Sequence, residues 1–167
     1  MTTSPIDFTV DVILCDSAAT ADGKLFLQGG GWNSISAPTF PFVQSRIGLG
    51  IIVGIPYTAT NENHSFELRL LHEDGEPLSL APAGAPEALK EQMTQLTGKF
   101  NMGRPPTLQP GDAQPMPLAM NFDQVLFPAP GKYTFELSID GSERGNYAFR
   151  VLSHFATTLR PTGPGGA

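Results

Sequence analysis

The chain has 167 residues, a formal net charge of −6, 16% charged residues, and 18 Gly with 16 Pro. This length suits one domain, and the scattered Lys and Arg residues argue against binding nucleic acid or an anionic membrane surface. The single cysteine excludes an intramolecular disulfide framework and suits a reducing compartment. We therefore expect a cytoplasmic protein built from many short strands joined by turns.

Residues 1–7 carry neither a basic segment nor an apolar segment of a signal peptide, and we expect them to form a flexible lead-in. Alternating apolar positions predict a strand over 8–15, and the turn dipeptide Asp22-Gly23 leads to a second strand over 24–28. Three glycines and Trp32 follow. The residues from 33 to 44 read as a connection.

The longest apolar run, residues 46–56, predicts the central strand. Its odd-numbered apolar positions, 47 to 55, share one face, because side chains alternate along a strand. The opposite face carries Gly48, Gly50, Ile52 and Gly54 and is almost bare. Glycines inside a strand usually mark a bend or a close approach by other groups. We expect the bulky ring of Trp32 to fill the trough over Gly48 and Gly50.

The second half of the chain continues the same pattern. Predicted strands cover 66–71, 78–80, 96–102, 116–122, 133–139 and 146–153, with tight turns at Asp74-Gly75 and Asp140-Gly141. The segment 86–93 is compatible with a two-turn helix or an irregular loop. We predict one antiparallel β-sandwich domain over 8–155 with about eight strands, at most one short helix near 86–94, and a flexible Pro/Gly tail over 156–167; a closed β-barrel is the alternative.

No motif predicts a catalytic, cofactor-binding or metal-binding residue. The glycines before Trp32 lack the Lys-Ser/Thr and the helix of a phosphate-binding loop. Each Asp-Gly pair offers too few carboxylates for calcium and fits a hairpin turn, although turns gathered at one end of a sandwich would make a composite metal site. The three histidines show no metal-ligand spacing and are expected at the solvated surface, and Cys15 reads as a buried small hydrophobe.

Some of these stretches resemble a known family. The first stretch runs from 21–25 to 29–32. The second runs from 103–106 to 121–122, and the third runs from 130–133 to 140–141. The chain resembles a family of small uncharacterised bacterial proteins, many of them from actinobacteria, over most of residues 8–152. That resemblance implies an all-β cytoplasmic domain and transfers no functional residues.

Three functions compete. The first is a non-catalytic protein-interaction or self-assembly module, most simply a homodimer, whose candidate surface residues are Trp32, Tyr57, Ile52 and Phe26. The second is a small-ligand or carbohydrate binder that stacks its ligand on Trp32, Tyr57 or Tyr147. The third is a hydrolase with His72 or His154 beside carboxylates in a pocket.

Overall fold

The computed structural model describes residues 7–154. The tail predicted over 156–167 lies outside the described residues. So does the lead-in predicted over 1–7, except for its last residue. The described elements are β1 (Thr9–Cys15), β2 (Ser17–Ala21), β3 (Lys24–Gln28), β4 (Ser34–Ala37), β5 (Phe42–Pro56), a 3-10 turn (Tyr57–Ala59), β6 (Asn63–His72), β7 (Pro77–Leu78), α1 (Glu87–Gln92), β8 (Leu96–Asn101), β9 (Ala113–Phe127), β10 (Gly131–Ile139) and β11 (Ser142–Ser153).

The strands form two main sheets and one separate hairpin. The smaller sheet has the order β1-β5-β9. The larger sheet has the order β4-β11-β10-β6, and β7 and β8 pair with different parts of β6. Strands β2 and β3 pair only with each other, and every pairing is antiparallel except β4 with β11. The prediction of an all-β fold with at most one short helix is confirmed, and residues 7–154 contain eleven strands where about eight were expected.

The core lies between the two main sheets. The odd-numbered positions of β5 are buried, as the alternation predicts: Ile47, Leu49, Ile51, Val53 and Ile55. Aromatic contacts join the sheets, since Phe127 of β9 meets the Tyr133 ring of β10 at 4.9 Å between centroids. Phe122 of β9 likewise stacks on Phe135 of β10 at 6.2 Å. One continuous apolar cluster therefore connects both sheets.

The predicted tight turns are confirmed. Asp22-Gly23 joins β2 to β3, and Asp140-Gly141 joins β10 to β11, each as a two-residue connection. Both residues of each pair have positive φ, which is the requirement of the hairpin turn whose twist matches that of the strands. The third pair, Asp74-Gly75, connects β6 to β7, and there only the glycine has positive φ.

Tyr133 fixes the corner at which the chain enters β10. Its ring is fully buried, and its hydroxyl donates to the Ala129 carbonyl at 2.6 Å, four residues upstream. Burial raises the pKa of this phenol, and the hydrogen bond to the carbonyl opposes that rise. This is the tyrosine-corner arrangement found in β-sandwiches.

Tyr133→Phe should destabilise the protein by about 1–3 kcal/mol, because it leaves the Ala129 carbonyl without its buried donor. Tyr147→Phe is the matched control, since its half-buried hydroxyl also donates to a main-chain carbonyl, that of Trp32, at 3.0 Å. Urea unfolding should show a clearly smaller loss in the free energy of unfolding for Tyr147→Phe than for Tyr133→Phe. Equal losses would contradict the role of Tyr133.

Candidate functional site

The outer face of the three-stranded sheet is the most unusual surface of the molecule. It is the even-numbered face of β5, with Gly48, Gly50, Ile52 and Gly54. In the β1 register, Ile13 lies opposite Gly50, and in the β9 register Pro117 lies opposite Ile52. A sheet face so poor in side chains allows another element to approach the backbone closely.

The β2–β3 hairpin covers part of this face, and the prediction that Trp32 does so is wrong. A Cβ built at Gly50 would lie 2.4 Å from Leu27 Cδ2 and 3.1 Å from Leu25 Cδ2. A Cβ at Gly48 would lie 3.0 Å from the Cα of Ser17, which is the first residue of β2. The glycines therefore accommodate a folded-over hairpin instead of an indole ring.

Asn121 of β9 attaches the hairpin to the sheet. Its Oδ1 accepts a hydrogen bond from the Ala18 amide at 2.9 Å, and its Nδ2 donates to the Ala18 carbonyl at 2.9 Å. The side-chain amide thus satisfies both main-chain groups of Ala18, as a neighbouring strand would. β2 is held on the sheet without belonging to its ladder.

Beyond the hairpin, large apolar side chains remain exposed. Ile13 is 37% exposed, Leu27 is 37% exposed and Ile52 is 37% exposed, and all three adjoin Gly50, which the hairpin covers. Phe26 is 54% exposed on the outward side of the hairpin, because Leu25 and Leu27 take the inward positions of β3. We call the surface formed by Ile13, Phe26, Leu27 and Ile52 the outer apolar face.

The adjoining edge of the sheet is protected against pairing with a further strand. β9 lies at the edge, and Pro115 and Pro117 oppose Gly54 and Ile52 of β5. A proline has no N–H, so these pairs are non-hydrogen-bonded, and the proline backbones point to the free edge. An incoming strand would find two donors missing there. Pairing with a further strand is therefore disfavoured at this edge of the sheet.

The other two candidate surface residues lie apart from this face. Trp32 is half-buried and packs edge-to-face against Phe149 at 6.4 Å, with its indole Nε1 buried. Tyr57 is half-buried beneath the Arg104 guanidinium, whose carbon lies 3.9 Å from the ring centroid. Arg104 also donates to the Tyr57 carbonyl at 2.8 Å. Of the four candidates, Ile52 and Phe26 share the outer apolar face.

His64 is the site residue that sequence reasoning missed. It is 5% exposed, contrary to the surface position expected for the histidines. Its Nδ1 lies 2.7 Å from Asp140 Oδ2, and its Nε2 lies 2.8 Å from the Ala59 carbonyl. A carboxylate and a carbonyl only accept hydrogen bonds, so both ring nitrogens donate and the ring is an imidazolium.

Desolvation lowers the pKa of His64, but the hydrogen bonds to Asp140 and Ala59 outweigh it, so the pKa lies above its ordinary value. For Asp140, desolvation raises the pKa, while the Ser65 amide and His64 bring it below its ordinary value. Phe8 and Phe100 surround the imidazole with ring centroids 5.0 Å and 5.4 Å away. The His64–Asp140 pair joins the β10–β11 turn to the 3-10 turn, and we call this pair the clamp.

His72 and the acidic turns do not assemble into a common site. His72 Nδ1 lies 3.0 Å from Asp74 Oδ1, at the end of β6 that pairs with Tyr133. Asp140 lies at the opposite end of β6, beside Ser65. Within residues 7–154, no group of three or more His, Cys, Asp or Glu side chains is placed to hold a metal ion.

Cys15 is fully buried at the end of β1. Burial raises the pKa of its thiol, and the neighbouring Ser17 and Gly50 main-chain groups only partly oppose that rise. A protonated buried thiol is a poor nucleophile. No helix in the described part of the chain is long and apolar enough to cross a membrane.

The geometry defines a class of protein: an all-β domain of two packed sheets, with a hairpin folded over a glycine-rich sheet face. The chain belongs to a family of unknown function, DUF6941, whose profile matches residues 11–152. No curated protein matches the sequence at a significant level.

The solved structures that are similar to this chain include two of low sequence identity. The Pseudomonas fluorescens alkylpurine DNA glycosylase AlkC, bound to DNA containing an abasic site analog, is 10% identical with a TM-score of 0.41. The match covers 88% of this chain but 31% of that chain, so this chain spans less than a third of its length. The PmoD soluble domain from Methylocystis sp. is 15% identical with a TM-score of 0.36, covering 86% of this chain and 90% of that chain.

Proposed function

We propose that this protein is a non-catalytic binding module that contacts another protein chain through the outer apolar face, most simply a second copy of itself. The observation that carries the proposal is the exposure of Ile13, Leu27 and Ile52 around Gly50, together with the exposure of Phe26 on the outward side of the hairpin. Contiguous exposed apolar surface usually marks an interaction site. A twofold dimer is the simplest assembly, since one patch then serves both copies.

Other observations agree with a binding role. Among the described residues, His72 pairs with Asp74, and five of the main surface cavities are lined without a histidine. The Tyr57 face is occupied by Arg104, and Trp32 is largely engaged with Phe149, which disfavours sugar stacking. The lone buried Cys15 agrees with a reducing, cytoplasmic environment.

Light scattering coupled to size exclusion should give twice the monomer mass for the wild-type protein. A variant combining Phe26→Thr and Ile52→Thr should give the monomer mass, because threonine keeps strand propensity but removes apolar area. Val43→Thr is the control: Val43 is 42% exposed on the same strand, and nine residues place it roughly 30 Å from Ile52. A wild-type protein that is monomeric at every concentration would contradict self-association.

A further inference from the structure

A second surface stands out on the larger sheet, on the side opposite the core. In the registers of β4, β11 and β10, Ser34 lies beside Arg150, and Arg150 lies directly opposite Lys132. Their neighbours Tyr133 and Val151 are fully buried, so the row of three side chains points outward. One hydroxyl and two cations are thereby aligned across three adjacent strands.

Two like charges directly opposite each other destabilise a sheet. The chain has only 10 Lys and Arg residues and is acidic overall, so the pairing of two of them is not expected from composition. Neither Arg150 nor Lys132 takes part in an ion pair among residues 7–154. The Glu73 carboxylate accepts a hydrogen bond from the Lys132 main-chain amide at 3.3 Å. An anionic ligand would remove the repulsion.

A cavity of about 210 Å³ lies over this row. Its lining combines Arg150, Lys132, Ser34 and Asn33 with the apolar side chains of Ala148 and Leu152. Whole-ligand pockets are usually about 300–1,000 Å³, so this cavity has room for one charged group and a short attached segment. Leu152 is exposed at its rim and offers an apolar contact to that segment.

We propose that this cavity binds the phosphate group of a small phosphate monoester. Arginine presents a planar fork that matches phosphate oxygens, and lysine adds a compact charge. A phosphate monoester carries a charge of about −1.5 to −2 at neutral pH, which balances two cations, whereas a monocarboxylate would leave one unbalanced. The Ser34 hydroxyl supplies a further donor, and the ester group lies toward Leu152 and Ala148.

The single tryptophan makes the site observable. Trp32 immediately precedes Asn33 and packs on Phe149, which also lines the cavity. Inorganic phosphate and butyl phosphate, titrated at constant ionic strength against chloride, should each give a saturable change in Trp32 fluorescence. Butyl phosphate should bind more tightly, because its chain reaches the apolar rim. Acetate at the same ionic strength should give no saturable change.

Arg150→Gln and Lys132→Gln should each weaken phosphate binding about tenfold, the loss expected for a charge-assisted hydrogen bond. Without phosphate, both variants should melt at or above the wild-type temperature, since the repulsion is gone. Lys99→Gln is the control, because Lys99 is also basic and lies outside this cavity. The proposal would be overturned if Lys99→Gln lost as much phosphate affinity as the other two variants. It would also be overturned if the wild-type protein showed no saturable phosphate binding. The site lies on the opposite sheet from the outer apolar face, so neither result bears on self-association.

Discussion

His64→Gln should lower the free energy of unfolding by about 2–3 kcal/mol, because glutamine cannot donate to the Asp140 carboxylate and the Ala59 carbonyl with the geometry of an imidazolium. The Ala59 carbonyl then loses its buried donor. Asp140 is partly open to solvent, with 43% of its side chain exposed, so water takes over part of its hydration. That exposure keeps the loss below the cost of stranding a fully buried charge.

The loss should depend on pH. The folded pKa of His64 is raised, so its contribution is complete below the unfolded value of about 6.5 and disappears as pH rises through the folded pKa. The folded pKa of Asp140 is lowered, so its contribution is present above the unfolded value of about 3.9 and disappears as pH falls through the folded pKa. The clamp should therefore stabilise most between about pH 4 and pH 6.5. The negative charge of Glu62 also favours the imidazolium and so raises the pKa of His64.

Urea unfolding of wild type and His64→Gln at about pH 5.5 and about pH 9 tests this expectation, the two values lying on either side of the histidine range. The stability difference should be larger at the lower pH. His154→Gln, a change at an exposed histidine, is the matched control. A stability difference for His64→Gln that is equal at both pH values would show that the ring is not held as an imidazolium.

Local patterns in the sequence predicted much of the sheet structure. The alternation over 46–56 identified the buried face of β5, and the Asp-Gly pairs identified the turns, because both depend on neighbouring residues. The strand β4 was not predicted, since its four residues form a strand only by pairing in parallel with β11. Pairing partners distant in sequence leave no local signal.

The clamp and the hairpin illustrate the same limit. His64 shares the inward parity of Phe66, Leu68 and Leu70, which was a usable signal for burial, but its partner Asp140 is 76 residues away. The size of Trp32 and its proximity in sequence favour a position over the glycine trough, which is wrong. The alternation of Leu25 and Leu27 after a tight turn was the better indication of an element that folds back.

Gly48→Ala should destabilise the protein by about 1–3 kcal/mol, the usual cost of forcing extra volume into a packed site. The added Cβ would lie 2.8 Å from Cys15 Sγ, 3.0 Å from Ser17 Cα and 3.1 Å from the Cys15 carbonyl oxygen. Two of these are main-chain atoms and cannot rotate away. The corner between β1 and β2 must therefore shift, and the hairpin moves off the sheet with it.

Gly50→Ala separates this effect from the general effect of a glycine substitution in β5. Its Cβ would meet the ends of the Leu27 and Leu25 side chains, and Leu27 is exposed enough to rotate into solvent. Because alanine also restricts the unfolded chain, we expect the free energy of unfolding to change by only about 0.5–1 kcal/mol in either direction. Cys15, the single thiol, reports hairpin movement directly, since it is buried at the position that Gly48 faces. Thiol labelling under native conditions should accelerate in Gly48→Ala and remain slow in Gly50→Ala, and equal labelling rates in both variants would mean that the hairpin is not seated on Gly48.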